Sequence, residues 1–379
     1  YNKTFSARTT MRTGAMIQNI ALQSSALDRD NRPDLNEDGL PDWFLVRDVD
    51  ESLNLLEVYA QVQHKLSQQW TLNAGLHGQY LDFTEKGVLE PRLALNWNFK
   101  PQHTINLAYG LHSQMPNLPL LFLREPVGDD FIASNSDLDF TRSHHFVLGH
   151  DWKFADSWRM KTELYYQAIT HVPVERESSS FSALNAGADF EFPTDKFDLV
   201  NEGTGENYGL ELTLERFFSK GYYGLLTASV FESTYEGSDG IERNTAFNNQ
   251  YVFNMLGGKE FKVGKAKKNA VTLDFRVAYG GGRYYTPVDL QESMKQGTEV
   301  LMADLAFSEQ VEPYFRLDTK IGFMLNSSNK KFSQQFFLDF QNLTNHDNVF
   351  ARRYNEVTNE INTVYQTGFF PDILYRVQF

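Results

Sequence analysis

Apolar and polar residues alternate along this chain in runs of eight or nine residues, within segments many of which reach roughly 10–15, separated by turn-forming stretches. Leu56, Val58, Ala60 and Val62 alternate with Glu57, Tyr59, Gln61 and Gln63. Trp70, Leu72, Ala74 and Leu76 alternate with Thr71, Asn73, Gly75 and His77. The pattern returns at Arg92–Phe99, Ile105–His112, Trp158–Tyr166, Asn207–Glu215, Val271–Tyr279 and Phe315–Phe323. Successive side chains of a strand point to opposite faces, so every run has one apolar and one polar face. Soluble sandwiches use strands of about 5–6 residues, whereas a tilted membrane crossing needs about 9–11. Segments this long, with aromatics on one face of nearly every one, would be an aggregation hazard in water. They predict an all-β fold, a transmembrane antiparallel β-barrel.

Composition agrees. Phe, Tyr and Trp make up 14% of the 379 residues, an excess that aromatic girdles require. No run of about 18 apolar residues exists, which excludes membrane-spanning helices but not barrel strands. Without cysteine there are neither disulfides nor thiolate metal sites. A net charge of −14 argues against nucleic acid as a partner. The segment Pro371–Phe379 reads as a closing strand, with Ile373, Tyr375, Val377 and Phe379 on its apolar face.

The pattern gives about fourteen strands, the first from Lys3 to Asn19. Long connections are expected near residues 22–52, 115–137, 171–205, 286–311 and 344–365, and short ones near Ser67, Pro101, Ala155, Ser219, Gly264 and Ser328. One connection near Glu85 is short where a long one is due. Outer-membrane barrels have long outer loops and short periplasmic turns. Counting strands back from a periplasmic Phe379 puts the long loops outside and Tyr1 on the periplasmic side. Lysines such as Lys100, Lys153 and Lys220 collect in the short turns, while Asp129, Asp137, Glu175 and Glu191 lie in the long loops. With neither initiator Met nor signal peptide, residues 1–379 read as the C-terminal part of a larger barrel.

Several stretches resemble the TonB-dependent outer-membrane receptors, Bacteroidota type: Glu90-Pro91-Arg92-Leu93, Tyr109–Gln114, Asn207–Thr213, Gly280–Pro287, Pro313–Asp318 and Asp339–Asn345, with Phe379 closing. The resemblance implies a barrel of about 22 strands around an N-terminal plug, with plug and roughly the first eight strands outside this chain. It implies import of an extracellular nutrient across a Gram-negative outer membrane, driven by an energy-transducing inner-membrane complex that acts through the plug. The substrate would be a small molecule, glycan or peptide, and a surface lipoprotein is an expected partner beside outer-membrane lipid. Tyr375, Val377 and Phe379 would form an assembly signal. A lumen that wide must be plugged. Its lining would include Asn73, Arg92, Asn96, Glu163, Glu211, Asp274, Arg276, Asp318 and Lys320, with Arg92, His112, Arg283 and Tyr284 as substrate candidates. A passive porin-like channel and a barrel with an adhesion or assembly role are the alternatives.

One local motif carries metal chemistry. Asp34-Leu35-Asn36-Glu37-Asp38-Gly39-Leu40-Pro41-Asp42 places oxygen ligands at alternate positions before a glycine turn, which suits Ca²⁺. Asp34, Asn36 and Asp38 would offer side chains, Leu40 its carbonyl, and Asp42 a direct or water-bridged ligand. The twelfth position is Leu45, where an EF-hand has a bidentate Glu; Asp48, Asp50 or Glu51 could substitute. An Asx- and Gly-rich turn without metal has the same composition. Adjacent His144 and His145 must face opposite sides of a strand, and His77 and His112 face the lumen. No Ser-His-Asp spacing, phosphate loop or carboxylate pair points to an enzyme.

Overall fold

Among the described residues, fifteen antiparallel strands follow one another around a single sheet, each paired with the next of the fifteen. The computed structural model describes residues 1–28, 42–127, 130–188, 192–264, 267–327 and 332–379. The strands are β1 Asn2–Ser6, β2 Thr9–Asp28, β3 Phe44–Lys65, β4 Trp70–Leu81, β5 Lys86–Lys100, β6 His103–Gln114, β7 Thr141–Ala155, β8 Trp158–Glu175, β9 Leu199–Ser219, β10 Tyr222–Glu236, β11 Tyr251–Val263, β12 Asn269–Gly280, β13 Tyr314–Asn326, β14 Ser333–Gln341 and β15 Phe370–Gln378. A further short strand, Glu242–Asn244, pairs with the end of β10.

The outer face is a quilt of large apolar side chains in register. Leu107, Leu148, Leu164, Leu210 and Val230 lie opposite one another across five successive strands, and all are exposed. A continuous exposed apolar surface of this kind is what lipid covers. Two aromatic belts bound it. Near the short turns, Trp70 stacks on Trp97 at 5.0 Å, Phe99 lies 5.4 Å from His103, His103 stacks on Trp152 at 5.3 Å, and Phe154 meets Trp158 at 5.9 Å. Toward the long loops, Tyr109, Phe146 and Tyr166 form the second row. Along β8 the two belts are eight residues apart, about 27 Å of strand. At a tilt of about 40° this is about 21 Å of height, close to the apolar band of an outer-membrane barrel. The chain thus forms the wall of a transmembrane β-barrel, and strand faces follow the parity read from the sequence.

The structure corrects several expectations. The first predicted strand, Lys3–Asn19, is broken at Ala7–Arg8 into β1 and β2. Tyr1 accordingly lies beside Thr13, to whose carbonyl its amino group donates at 2.7 Å, and not at the short-turn end. The described part of the predicted loop 22–52 is largely ladder: β2 and β3 pair from Leu22↔Glu51 up to Asp28↔Phe44. Beyond the lipid band both faces meet water or other loops, so the alternation fades while backbone pairing continues. The same effect carries β8 to Glu175 and starts β9 at Leu199, inside the predicted loop 171–205.

The interior is not an empty trough at the loop end. The predicted outer loop 115–137 carries a helical turn, Leu118–Leu121, and its described residues, with those up to 140, fold onto the inner face of the wall. Leu120, Leu121, Leu123, Leu138 and Phe140 are buried against Leu53, Leu55, Leu81 and Leu199. This cluster is the hydrophobic core of the described residues, and it roofs the lumen.

Candidate lumenal site beneath the folded loop

Glu90 organises the wall below that roof. Its side chain is 1% exposed, and four groups donate to it: Ser113 N–H at 2.6 Å, Gln79 Nε2 at 2.9 Å, Arg92 Nη2 at 2.7 Å, and the His77 ring, 2.6 Å away at Nδ1. The register explains the cluster, since Glu90 pairs with His77 across β4–β5 while Arg92, two residues on, shares its face. A buried carboxylate is sustained only by such a complete set of donors.

Beside this cluster, Tyr59, Asn73, His77, Arg92, His112 and His145 line a recess of about 600 Å³. The His112 and His145 rings are 4.7 Å apart. His144 points to the outer face, where Tyr109 Oη lies 3.0 Å from its Nδ1. Further round the wall Glu163, Tyr165, Gln167, Asn207 and Glu211 line a second recess of about 420 Å³, with Glu163 directly opposite Glu211. Asp274 faces Lys320, and Arg276 faces Asp318. The lining therefore presents both donors and acceptors, as a passage for polar cargo or a seat for a polar domain requires.

The four substrate candidates fall in two places. Arg92 and His112 line the same recess. Arg283 and Tyr284 lie at the mouth, where Arg283 donates to the carbonyls of Ala188 at 3.1 Å and Phe350 at 2.7 Å, and Tyr284 pairs with Gln310. Arg283 thus ties three loops together beside a recess of about 590 Å³ that Tyr314, Arg316 and Asn348 also line. The preceding glycines make room: a Cβ at Gly281 would strike Asn249 O, and one at Gly282 would strike Val311 O. Tyr375 and Val377 lie on β15, Tyr375 against Phe336 at 4.6 Å, and Phe379 follows the ladder's last residue. Of the calcium motif, Asp34, Asn36, Asp38 and Leu40 lie outside the described residues; Asp42 precedes β3, and Leu45, Asp48, Asp50 and Glu51 are within it.

Sequence reasoning missed the groups that hold the roof in place. Buried Asn135 donates to Leu120 O and Lys196 O, both at 2.9 Å, and accepts from Leu199 N–H at 3.0 Å. Asn201 accepts from Asp139 N–H at 2.8 Å and donates to His171 O at 2.8 Å. Loop charges are paired as well. The Arg243 guanidinium holds the Asp239 carboxyl below the usual carboxylate range. Burial pulls the Lys196 ammonium down, but Asp195 and Glu175 outweigh it and raise its pKa. Asn135→Ala is expected to cost about 1–3 kcal/mol locally, since it leaves a buried N–H and two carbonyls unpaired. Limited proteolysis checks this: cleavage within residues 115–140 should rise while the barrel keeps its heat-modifiable gel migration.

Similar solved structures include the FrpB iron transporter from Neisseria meningitidis, at 12% identity and a TM-score of 0.61, covering 99% of this chain and 53% of that one. FpvA of P. aeruginosa, solved with a bound heterologous pyoverdine and iron, has 11% identity, a TM-score of 0.63 and coverage of 99% and 46%. The outer membrane transporter YddB from Escherichia coli has 11% identity, a TM-score of 0.63 and coverage of 100% and 53%. This chain spans about half the length of these structures. No match was found among curated proteins. Residues 4–343 match the family described as TonB dependent receptor-like, beta-barrel, and the chain belongs to that family.

Proposed function

We propose that this chain is the wall of an outer-membrane receptor of a Gram-negative bacterium that binds an extracellular nutrient and imports it with energy from an inner-membrane complex. The observation that carries the reading is the wall's two-sidedness under a folded roof. Lipid-facing aliphatics back a polar lumen, and the described residues of 115–140 are packed over it from the loop end. Arg92 and His112 meet cargo in the passage, and Arg283 and Tyr284 order the mouth that first receives it. A metal chelate, vitamin, glycan or peptide fits such a lining. The ferric chelate comes first because FrpB is an iron transporter and FpvA was solved with iron–pyoverdine. The Bacteroidota-type character and a surface lipoprotein partner at the mouth extend the same reading.

Two measurements test it. The full-length protein in a planar bilayer should show no steady large conductance; a stable open pore would favour the porin reading. In the native host, gene deletion should abolish uptake of one probe among ferrichrome, cyanocobalamin, a maltodextrin and an oligopeptide. A protonophore should abolish the same uptake in wild type, and uptake indifferent to it would contradict energy coupling.

We also propose that Asp34, Asn36, Asp38, Leu40 and Asp42 bind Ca²⁺. The motif supports this reading, since clustered carboxylates repel unless a cation joins them. The ion would order the approach to Trp43, which is exposed at the start of β3. Calcium is expected to protect residues 29–43 from proteolysis in wild type and not in Asp38→Ala. Equal cleavage of both proteins with calcium and with chelator would leave only a polar turn.

A further inference from the structure

The outer face carries a dent that the transport reading does not use. Gly224 of β10 and Gly257 of β11 lie directly opposite each other on the lipid-facing side. With no side chain at either position, they floor a recess of about 680 Å³ flanked by Leu214, Leu226, Met255, Leu273 and Phe275; Gly224 is its open part, while the Phe275 ring borders Gly257, 3.2 Å from where a Cβ would stand. The neighbouring rows fill the same face with large residues, so the dent is local. It opens at the aromatic belt beside the short turns, between Trp158 and Tyr222.

Two cations stand at that rim. Arg216 lies over the Trp158 ring at 5.3 Å and over Tyr222 at 5.7 Å. Lys259 lies over the other neighbour of this belt, Phe261, at 4.7 Å, and over Tyr222 at 4.5 Å, and donates to Tyr222 Oη at 2.6 Å. No acidic residue lines the recess. Among the described residues neither cation has a carboxylate within salt-bridge distance, although Arg159, Arg243 and Arg316 of the same molecule do. The buried Nε of Arg216 also has no hydrogen-bond acceptor. Arg216 Nη2 reaches one backbone carbonyl, Ser219 O, at 3.4 Å. Two cations without a carboxylate partner, held by aromatic rings at the depth of the headgroups above an apolar slot, form a two-part receptor. The cations match an anionic phosphate, and the slot matches an acyl chain.

We propose that this groove binds one anionic glycerophospholipid, its phosphate between Arg216 and Lys259 and one acyl chain over Gly224 and Gly257. A second copy of the chain suits the site less well, because its charge complement is missing from the exposed apolar strands around it.

The test is native mass spectrometry of the full-length protein, delipidated in detergent and titrated with dioleoyl phosphatidylglycerol or dioleoyl phosphatidylcholine. Wild type should prefer phosphatidylglycerol by about fivefold per cation, as basic side chains do at anionic lipid surfaces. Arg216→Gln with Lys259→Gln should bring that preference close to unity. Gly224→Leu, whose new Cβ meets only Leu256 O at 3.7 Å, should fill the slot and weaken retention of both lipids. Glycerol 3-phosphate, which has the headgroup chemistry without the chain, should not be retained. Each single cation variant is included, and heat-modifiable migration shows that every variant is folded. Equal retention of the two lipids by wild type, or an unchanged preference in the double variant, overturns the proposal. So does a dimer that Gly224→Leu dissolves.

Discussion

Leu212→Arg is expected to lower the unfolding free energy by about 2–4 kcal/mol, the cost of a cation at the lipid-facing midplane of an outer-membrane barrel. Leu212 sits midway between the two aromatic belts, opposite Thr162 and Ala228. Its neighbour Glu211 points the other way, into the lumen and directly opposite Glu163. Glu211→Arg should therefore cost far less, and it replaces a like-charge pair by an opposite one. Urea unfolding in lipid vesicles, with both variants under the same conditions, measures the difference. Equal losses at the two positions would mean that the wall does not separate lipid from lumen at this height.

A loss of similar size is expected for Glu90→Ala, about 2–4 kcal/mol. Ser113 N–H, Gln79 and His77 would lose a buried acceptor, and Arg92 a counter-charge. The Arg92 side chain is 46% exposed, so its ion pair is the smaller part of the effect. Glu90→Gln keeps one acceptor oxygen and should recover much of the stability. The same unfolding assay checks both variants. If Glu90→Ala changed nothing, water would be replacing the carboxylate, and the cluster would not organise the wall.

The membrane-crossing part of the fold was legible because the period-two pattern is enforced on every strand by lipid on one side and water on the other. The positions of Leu107, Leu148, Leu164 and Leu210, and the opposed faces of His144 and His145, follow from parity alone. The signal failed where that contrast ends. The ladder from Leu22 to Asp28 and from Phe44 to Glu51 continues through a register shift between Ala26 and Leu27, and its residues show no clean alternation. The break at Ala7–Arg8 was hidden because both flanks look like strand. The roof was least legible: Leu118 to Leu123 is visibly apolar, but its seat on Leu53, Leu81 and Leu199 joins residues far apart in the chain. Asn135 and Asn201 act through backbone groups of other loops, and no spacing rule marks them. Glu90 was within reach, since an acid and a base two residues apart on one strand share a face.

Alternating solvent access along β9 tests the barrel wall most directly. The 379 residues contain no cysteine, so single cysteines at positions 206–214 can carry spin labels without background from this part of the protein. In reconstituted full-length protein, labels at Tyr208, Leu210, Leu212 and Leu214 should collide with membrane-dissolved oxygen. Those at Asn207, Gly209, Glu211 and Thr213 should collide with a water-soluble nickel chelate instead. The account predicts a strict period of two between the aromatic belts. Equal access at Leu210 and Glu211, or no alternation at all, would contradict it.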